Sequence, residues 1–414
     1  MWAAKGDHDR AIADYSQAVS LNPKFANAYN NRGLMWATKG DDERATADYD
    51  QAISLDPKRA IFYSNRGLAW ARKGDNDHAI ADYDKAISLD PKSSLPYLNR
   101  GIALAKKGGN DKAIADFDQA ISLDPKNEKA FFSRGLIWAA KGDHDRAIAD
   151  YGQAVSLNPK FANAYNNRGL MWATKGDDER ATADFDQAIS FDPKNAVFYS
   201  NRGLAWARKG DNDQAIADYD KAISLDPKSS LSYLYRGAAR ARKGGNDPAV
   251  ADYSRAISLD PKSDSAYFYR GTVYFYSGAP AKARADFEQA AILKPDFAYY
   301  AIWLDLAQRR SGAGSHLQGW IGKVDMTKWP APVIRMLLGE QTPADTLKAA
   351  EDPDASTKTG QVCEANFYTA ELSRLQGQSD DALRLYRAAI SGCSKKFDEY
   401  SAARAALREL GVSQ

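Results

Sequence analysis

The chain has 414 residues, of which 56 are basic and 54 acidic, so its formal net charge is +2. This balance gives no electrostatic reason to expect nucleic acid or an anionic membrane surface as the main partner. No apolar run approaches the roughly 18 residues that a membrane-spanning helix needs, so the sequence predicts no membrane span. No export signal peptide is recognisable near Met1.

A proline recurs every 34 residues along most of the chain. Eight of these prolines follow Asn or Asp, and the last follows a lysine: Pro23, Pro57, Pro91, Pro125, Pro159, Pro193, Pro227, Pro261 and Pro295. Self-similarity at a period of this length predicts an array of stacked structural repeats. In such an array, chain length does not translate into a number of globular domains.

Each repeat has the signals of two helices joined by a tight turn. In the first complete copy, residues 26–39 are predicted to form a helix that ends at Gly40. The acidic run 41–43 then caps a second helix over residues 44–55. Pro57 stops this helix, because the residue before a proline is disfavoured in the α region. Each repeat is therefore predicted to be an antiparallel helical hairpin.

Small and large residues are placed so that these hairpins can stack. Gly33 allows a neighbouring helix to approach closely, with Tyr29 and Trp36 on either side. The facing residues of the second helix are Ala45, Tyr49 and Ala52. The pattern resembles the tetratricopeptide repeat, in which an aromatic residue, Leu-Gly and Tyr are followed by Ala, Phe and Pro. One departure is systematic, since arginine replaces the leucine before the glycine: Arg32, Arg66, Arg100, Arg134, Arg168, Arg202, Arg236 and Arg270.

This resemblance implies an all-α, right-handed superhelical solenoid of stacked 34-residue hairpins, whose first helices line a concave, peptide-binding groove. We predict a partial first repeat over residues 1–25 and eight regular repeats over 26–297. An irregular helical and loop region follows over 298–361, and a degenerate hairpin with a capping helix over 362–414. Because residue 1 falls inside a repeat, we expect the natural chain to start upstream. The resulting edge, with Trp2, Ile12 and Tyr15, would allow self-association.

A longer duplication is superimposed on the repeats. Residues 2–95 recur at 138–231 with six substitutions, a shift of four repeats. Two interpretations are open. The duplication either lengthens the array or creates two equivalent binding segments for a long ligand.

Four stretches of the C-terminal region resemble the new lipoprotein I family of bacterial outer-membrane lipoproteins. They are residues 301–306, 329–333 with 338–339, 364–368 and 397–404. The resemblance implies an adaptor that holds cell-wall hydrolases and proteases in the periplasm. The lipid-attachment cysteine and export signal of that family are missing from the sequence. We therefore expect a periplasmic or cell-envelope location if an export signal precedes this chain, and a cytoplasmic location otherwise.

The only two cysteines, Cys363 and Cys393, are placed near the start and the end of the final predicted hairpin. These positions are neighbours in an antiparallel helix pair, so a disulfide closing about 30 residues is geometrically plausible. Such a bond would favour an oxidising compartment. The alternative is two buried thiols that behave as small apolar groups.

The sequence contains no recognisable set of catalytic residues, and we predict a non-enzymatic protein without metal or cofactor. The four histidines are expected on the polar surface: His8, His78, His144 and His316. Aspartate pairs such as Asp48 and Asp50 are expected to pair with arginines of neighbouring helices. The repeated tryptophans are expected to serve packing.

The strongest binding candidates lie on the predicted inner faces of the first helices. The residue before Arg-Gly is an asparagine in five repeats: Asn31, Asn65, Asn99, Asn167 and Asn201. An amide both donates and accepts hydrogen bonds, so a ladder of amides can bind an extended backbone whatever its sequence. Alternatively, the amides hydrogen-bond adjacent repeats to one another.

Two further sets extend this predicted groove. One helical turn beyond the asparagines lies a basic stripe, which could equally be a row of solvated helix ends: Arg72, Lys106, Arg208 and Arg242. Towards the C-terminus the ladder becomes aromatic, with Tyr235, Phe268 and Tyr269. Buried aromatic anchors often carry binding energy. The alternative is that these rings contact the irregular C-terminal segment. The leading prediction is a scaffold for proteins or extended peptides; the alternatives are a recognition arm of an enzyme complex and a self-assembling solenoid.

Overall fold

The computed structural model describes residues 7–393 and 398–412. Within these ranges the chain forms 23 α-helices and one 3₁₀ helix, and no β-strand. The all-α repeat architecture is therefore confirmed. The chain divides into two compact units, residues 1–193 and 194–414. No helix in the described ranges is long and apolar enough to span a membrane.

The first unit consists of helical hairpins in regular succession. Its helices are α1 (His8–Leu21), α2 (Ala26–Thr38), α3 (Asp42–Leu55), α4 (Ala60–Arg72), α5 (Asn76–Leu89), α6 (Ser94–Lys106), α7 (Asn110–Leu123), α8 (Glu128–Ala140), α9 (His144–Leu157), α10 (Ala162–Thr174) and α11 (Asp178–Phe191).

The second unit begins with three more regular hairpins and ends in an irregular helical region. The hairpins comprise α12 (Ala196–Lys209), α13 (Asn212–Leu225), α14 (Ser230–Arg242), α15 (Asn246–Leu259), α16 (Asp264–Tyr276) and α17 (Pro280–Leu293). The remaining elements are α18 (Ala298–Arg310), the 3₁₀ helix Leu317–Lys323, α19 (Ala331–Leu338), α20 (Pro343–Ala349), α21 (Ala355–Leu375), α22 (Ser379–Gly392) and α23 (Asp398–Glu409).

Local signals set the ends of each hairpin helix. Gly40 follows α2 with φ +83°, a left-handed conformation that glycine adopts without steric cost. The carboxylate of Asp41 then accepts a hydrogen bond from the backbone N–H of Arg44 at 3.0 Å. This cap starts α3 at Asp42, two residues earlier than predicted. The predicted helix–turn–helix unit is confirmed.

Glycine allows the two helices of a hairpin to touch. A Cβ atom on Gly33 would lie 2.8 Å from Cε1 of Tyr49, so no side chain fits there without displacing the ring. Ala45 and Ala52 are fully buried on the same face of α3. Burial raises the pKa of Tyr49 to about 12. These residues form the contact between the helices and are unavailable to a ligand.

The arginine that replaces the usual leucine has a structural role. In the third complete repeat, Arg100 Nε lies 2.8 Å from Asp116 Oδ2, and its Nη2 lies 2.6 Å from Asp116 Oδ1. Its Nη1 also donates to Asp84 of the preceding hairpin at 2.5 Å. The same two-point pairing joins Arg32–Asp48, Arg66–Asp82, Arg134–Asp150, Arg168–Asp184, Arg202–Asp218, Arg236–Asp252 and Arg270–Asp286. Asp50 accepts from Arg66 in turn, so the predicted role of the aspartate pairs is confirmed.

In the second unit, a larger core surrounds Trp303 of α18, which is 1% exposed. Its ring lies 5.5 Å from that of Phe275 and 5.7 Å from that of Phe367 in α21. Helix α21 begins at Ala355, seven residues before the predicted start of the final hairpin, because Asp354 caps it by accepting from Thr357 N–H at 2.7 Å.

The two cysteines are joined in the structure as a disulfide, with Cα atoms 5.2 Å apart. Cys363 lies in the interior of α21 rather than at its start, and Cys393 follows α22 directly. The bond therefore ties the two helices of the final hairpin together. This is the antiparallel neighbourhood on which the predicted pairing depended.

The N-terminal edge differs from its prediction. Ile12 is buried, because Met35 of α2 packs against it, so the expectation that Ile12 forms an exposed apolar edge is wrong. Tyr15 is half-buried. Trp2 lies outside the described residues. Exposed apolar surface occurs instead at Leu21, which is 80% exposed, and at Phe25.

Candidate interaction surfaces

The predicted asparagine ladder is partly connected within the first unit. The Nδ2 of Asn65 donates to Oδ1 of Asn30 at 2.9 Å, and Asn30 donates to Asn31 at 3.2 Å. Asn30 is buried, so these amides link α4 to α2. Asn167 accepts a similar bond from Asn166 at 3.1 Å. Some ladder members therefore hydrogen-bond to neighbours, as the alternative interpretation expected.

The other ladder members are half-buried. Asn99 makes no side-chain hydrogen bond within the described part of the chain and lies on α6 of the first unit. Asn201 lies on α12 of the second unit. The ladder thus contributes to both units, and its most accessible hydrogen-bonding capacity in the first unit is at Asn99.

Exposed apolar residues flank the asparagine ladder on the first helices. They were not among the predicted site residues. Four residues before the asparagine stand Ile61 and Leu95, 49% and 48% exposed. Three residues after that position stand Leu34, Leu68, Ile102 and Leu136, between 36% and 43% exposed. Residues at these spacings share one helix face. The recurrence of an apolar residue directly after the glycine could have revealed this row, but such residues are usually assumed to be buried.

The four members of the predicted basic stripe do not form one continuous surface. Arg72 donates through Nε and Nη2 to Asp42 of the preceding hairpin, so it is an ion-paired structural residue. Lys106 is exposed, and its neighbour Lys107 pairs with Asp77. The two remaining members, Arg208 and Arg242, lie in the second unit. There the structure brings them together with the predicted aromatic residues.

Arg208, Arg242 and the predicted aromatic residues line a cavity of about 810 Å³ in the second unit. Residues of α12 to α16, α18 and α23 line it. Five predicted site residues line it: Arg208, Tyr235, Arg242, Phe268 and Tyr269. Arg404 and Arg408 of α23 also line the cavity and were not predicted as site residues. Their spacing of four residues on an amphipathic helix was the available signal.

Phe268 is a core residue more than a binding anchor. It is 7% exposed, and its ring lies 5.2 Å from that of Tyr300 and 5.8 Å from that of Trp303. Tyr276 is likewise buried and donates to Glu371 at 3.0 Å. These rings therefore contact the C-terminal region, as the alternative interpretation expected. Tyr269 is half-buried and keeps a surface towards the cavity.

Charge in the cavity is predominantly positive. Burial, and then the like charge of Arg404, lower the pKa of Arg408. Burial raises the pKa of Tyr219, while the positive charges of Arg242 and Arg208 oppose that rise. In the described part of the chain, no group of three or more His, Cys, Asp or Glu residues is arranged to hold a metal ion.

Family comparisons agree with the repeat architecture. Profiles described as TPR repeat match residues 3–40, 37–74 and 71–108. Profiles described as tetratricopeptide repeat match residues 98–155, 140–196, 196–229 and 265–297. No curated protein matches the chain.

Several solved structures are similar to parts of the chain. YrrB, described as a TPR protein with an unusual peptide-binding site, is 26% identical over 44% of this chain and 95% of its own, with a TM-score of 0.40. MamA is 29% identical over 39% of this chain and 95% of its own, with a TM-score of 0.37. PilF of Pseudomonas aeruginosa is 19% identical over 52% and 96%, with a TM-score of 0.47.

Proposed function

Because the chain is a tetratricopeptide repeat protein, we propose that it is a non-enzymatic scaffold that binds an extended peptide segment of a partner protein. The proposed surface, here called the amide–apolar face, consists of Ile61, Asn65 and Leu68 of α4 with Leu95, Asn99 and Ile102 of α6. The observation that carries the proposal is the alternation of half-buried amides with exposed apolar side chains on successive first helices.

The two residue types would perform different tasks. Each exposed apolar side chain offers area whose burial contributes about 25 cal/mol per Å². Each amide can bind the backbone of the peptide. Asn65 uses one of its two N–H donors on Asn30, so its second donor and its carbonyl oxygen remain for a ligand. Backbone recognition with apolar pockets for alternate side chains suits an extended segment.

A comparison within the chain supports this assignment. Trp303 and Leu306 of α18 stand eight repeat steps after Asn31 and Leu34 of α2. In α18 both are buried, Trp303 against Phe367 of α21. The chain itself therefore covers this face at α18, directly after the last regular hairpin. In α2, α4 and α6 the equivalent apolar residues are exposed.

The test is selection of peptides against the purified full chain, followed by affinity measurement by fluorescence anisotropy. We expect Leu68→Ser with Leu95→Ser to weaken a selected peptide about tenfold or more. Asn99→Ala should weaken it less. Leu347→Ser is the matched control, because Leu347 is 42% exposed in the second unit. Unchanged affinity of the double variant, with normal far-UV circular dichroism, would remove this face from the mechanism.

The proposal extends to the compartment of the protein and to its assembly with other chains. We propose an envelope protein, because the tail resembles the new lipoprotein I family and a disulfide ties its last hairpin. As a recognition arm, it would deliver partners to an enzyme on another chain. As a self-assembling solenoid, its mass in solution would rise with concentration, whereas a scaffold acting as a monomer would keep one mass over the series.

A further inference from the structure

The cavity of the second unit has a chemistry that the amide–apolar face lacks. Among the described residues that line it, one carries a carboxylate, Glu409, and five are cationic: Arg208, Lys209, Arg242, Arg404 and Arg408. That carboxylate is already engaged, because Arg374 Nη1 lies 2.7 Å from Glu409 Oε2. Cationic side chains therefore outnumber carboxylates among the described residues that line this cavity.

Two of these arginines differ from the arginines that precede the repeat glycines. The arginines before the repeat glycines each bind a buried aspartate, whereas Arg242 and Arg408 make no ion pair within residues 7–393 and 398–412. Both approach the α14–α15 turn: Arg242 is the last residue of α14, and Arg408 Nη1 lies 3.1 Å from the position of a Cβ on Gly244. The like charge of Arg404 also acts on Arg408, and an anion bound beside Arg408 would offset it.

Aromatic rings line the same space. The rings of Tyr219 and Tyr235 lie 6.0 Å apart, and those of Tyr253 and Tyr269 are stacked at 6.1 Å. Tyr235 and Tyr269 occupy equivalent positions on α14 and α16, one repeat step apart. Tyrosines in such positions offer apolar faces together with hydroxyl groups.

We propose that this cavity binds the carboxylate side chains of an acidic, extended peptide segment, at a site separate from the amide–apolar face. The planar guanidinium group matches a carboxylate through two parallel hydrogen bonds. Arg208 and Arg242 occupy equivalent positions on consecutive first helices, so they present positive charge at repeated steps, as a chain of acidic residues requires. The C-terminal helix α23 lines the site and supplies half of its arginines.

The test uses the full chain and a short fluorescein-labelled peptide of alternating glutamate and tyrosine. Its control is the same peptide with glutamine in place of glutamate. We expect saturable binding of the acidic peptide that weakens as salt increases. Arg242→Gln with Arg408→Gln should reduce affinity about tenfold or more, because charge-assisted hydrogen bonds are lost. Arg387→Gln is the matched control, since Arg387 is exposed in the same unit and outside the cavity.

Each result decides the proposal. Equal binding of the glutamine peptide, no binding of the acidic peptide, or unchanged affinity of the double variant would overturn it. Binding of inorganic phosphate to the full chain, with no binding of the acidic peptide, would replace it with a small-anion site. If the double variant lost helicity by circular dichroism, the charge reversal Arg242→Glu would serve instead, and it should abolish the preference for glutamate. Leu68→Ser with Leu95→Ser should leave acidic-peptide binding unchanged, which separates this site from the amide–apolar face.

Discussion

The first unit and the C-terminal part of the second use the same hairpin positions in opposite ways. In α2, Arg32 pairs with Asp48, while Leu34 is exposed. In α18, the equivalent positions hold Leu304 and Leu306, and both are buried. The regular hairpins are held by repeated ion pairs and small alanine–tyrosine contacts, and they leave one face open. Helix α18, which follows the last regular hairpin, is instead buried in a single large apolar core that covers this face.

The largest effect is expected from Trp303→Ala, which tests whether the second unit depends on that core. Truncating a fully buried tryptophan typically costs 3–5 kcal/mol, and we expect about 4 kcal/mol here. The measurement is urea unfolding followed by far-UV circular dichroism. Trp70→Ala is the matched control, because the half-buried Trp70 belongs to a regular hairpin, and we expect about 1–2 kcal/mol for it. Equal losses would show that the two regions do not differ in this way.

This comparison also explains what the sequence could predict. Gly40, Asp41 and Pro57 act within a few residues, so helix ends and hairpins followed from local signals. The burial of Trp303 depends on α21, more than 50 residues further along the chain, and no repeat-based argument reaches that far. The cavity was only half predicted for the same reason. The repeat pattern predicted Arg208 and Arg242 as site residues. Arg404 and Arg408 line the cavity only because of where α23 packs, which the repeat pattern does not specify.

A smaller loss of stability is expected for Arg100→Leu. This change gives a regular hairpin the residue that α18 has at the equivalent position, Leu304. The change leaves the buried Asp116 without its ionic partner. Breaking a fully buried pair costs about 3–5 kcal/mol. Because the side chain of Arg100 is 22% exposed, we expect about 2 kcal/mol. The measurement is again urea unfolding, as a double-mutant cycle of Arg100→Leu, Asp116→Leu and the two changes together.

The double variant Arg100→Leu with Asp116→Leu tests whether a regular hairpin requires the ion pair itself or only side chains that fill the same space. A buried pair replaced by apolar residues is often neutral in stability. We therefore expect the double variant to recover most of the loss. If it remains as unstable as Arg100→Leu alone, the regular hairpins require the arginine itself, and the comparison with Leu304 fails.

The smallest effect is expected at Glu364, a carboxylate that the C-terminal core encloses. Its Oε2 accepts hydrogen bonds from the Tyr299 hydroxyl and from Trp329 Nε1, both at 2.7 Å. Burial raises the pKa of Glu364, although these two hydrogen bonds oppose the rise. Folding therefore favours the protonated form. The stability that this proton contributes is complete below the unfolded-state pKa and is lost as pH rises through the folded-state pKa.

Glu364→Gln keeps an acceptor oxygen for Tyr299 and Trp329 but removes the titration. We expect its stability relative to the natural chain to increase as pH rises from about 4 towards neutrality. The measurement is the urea midpoint of both proteins across this range. The exposed Glu340→Gln is the control for loss of one carboxylate. A stability difference that stays constant with pH would mean that folding does not shift the pKa of Glu364.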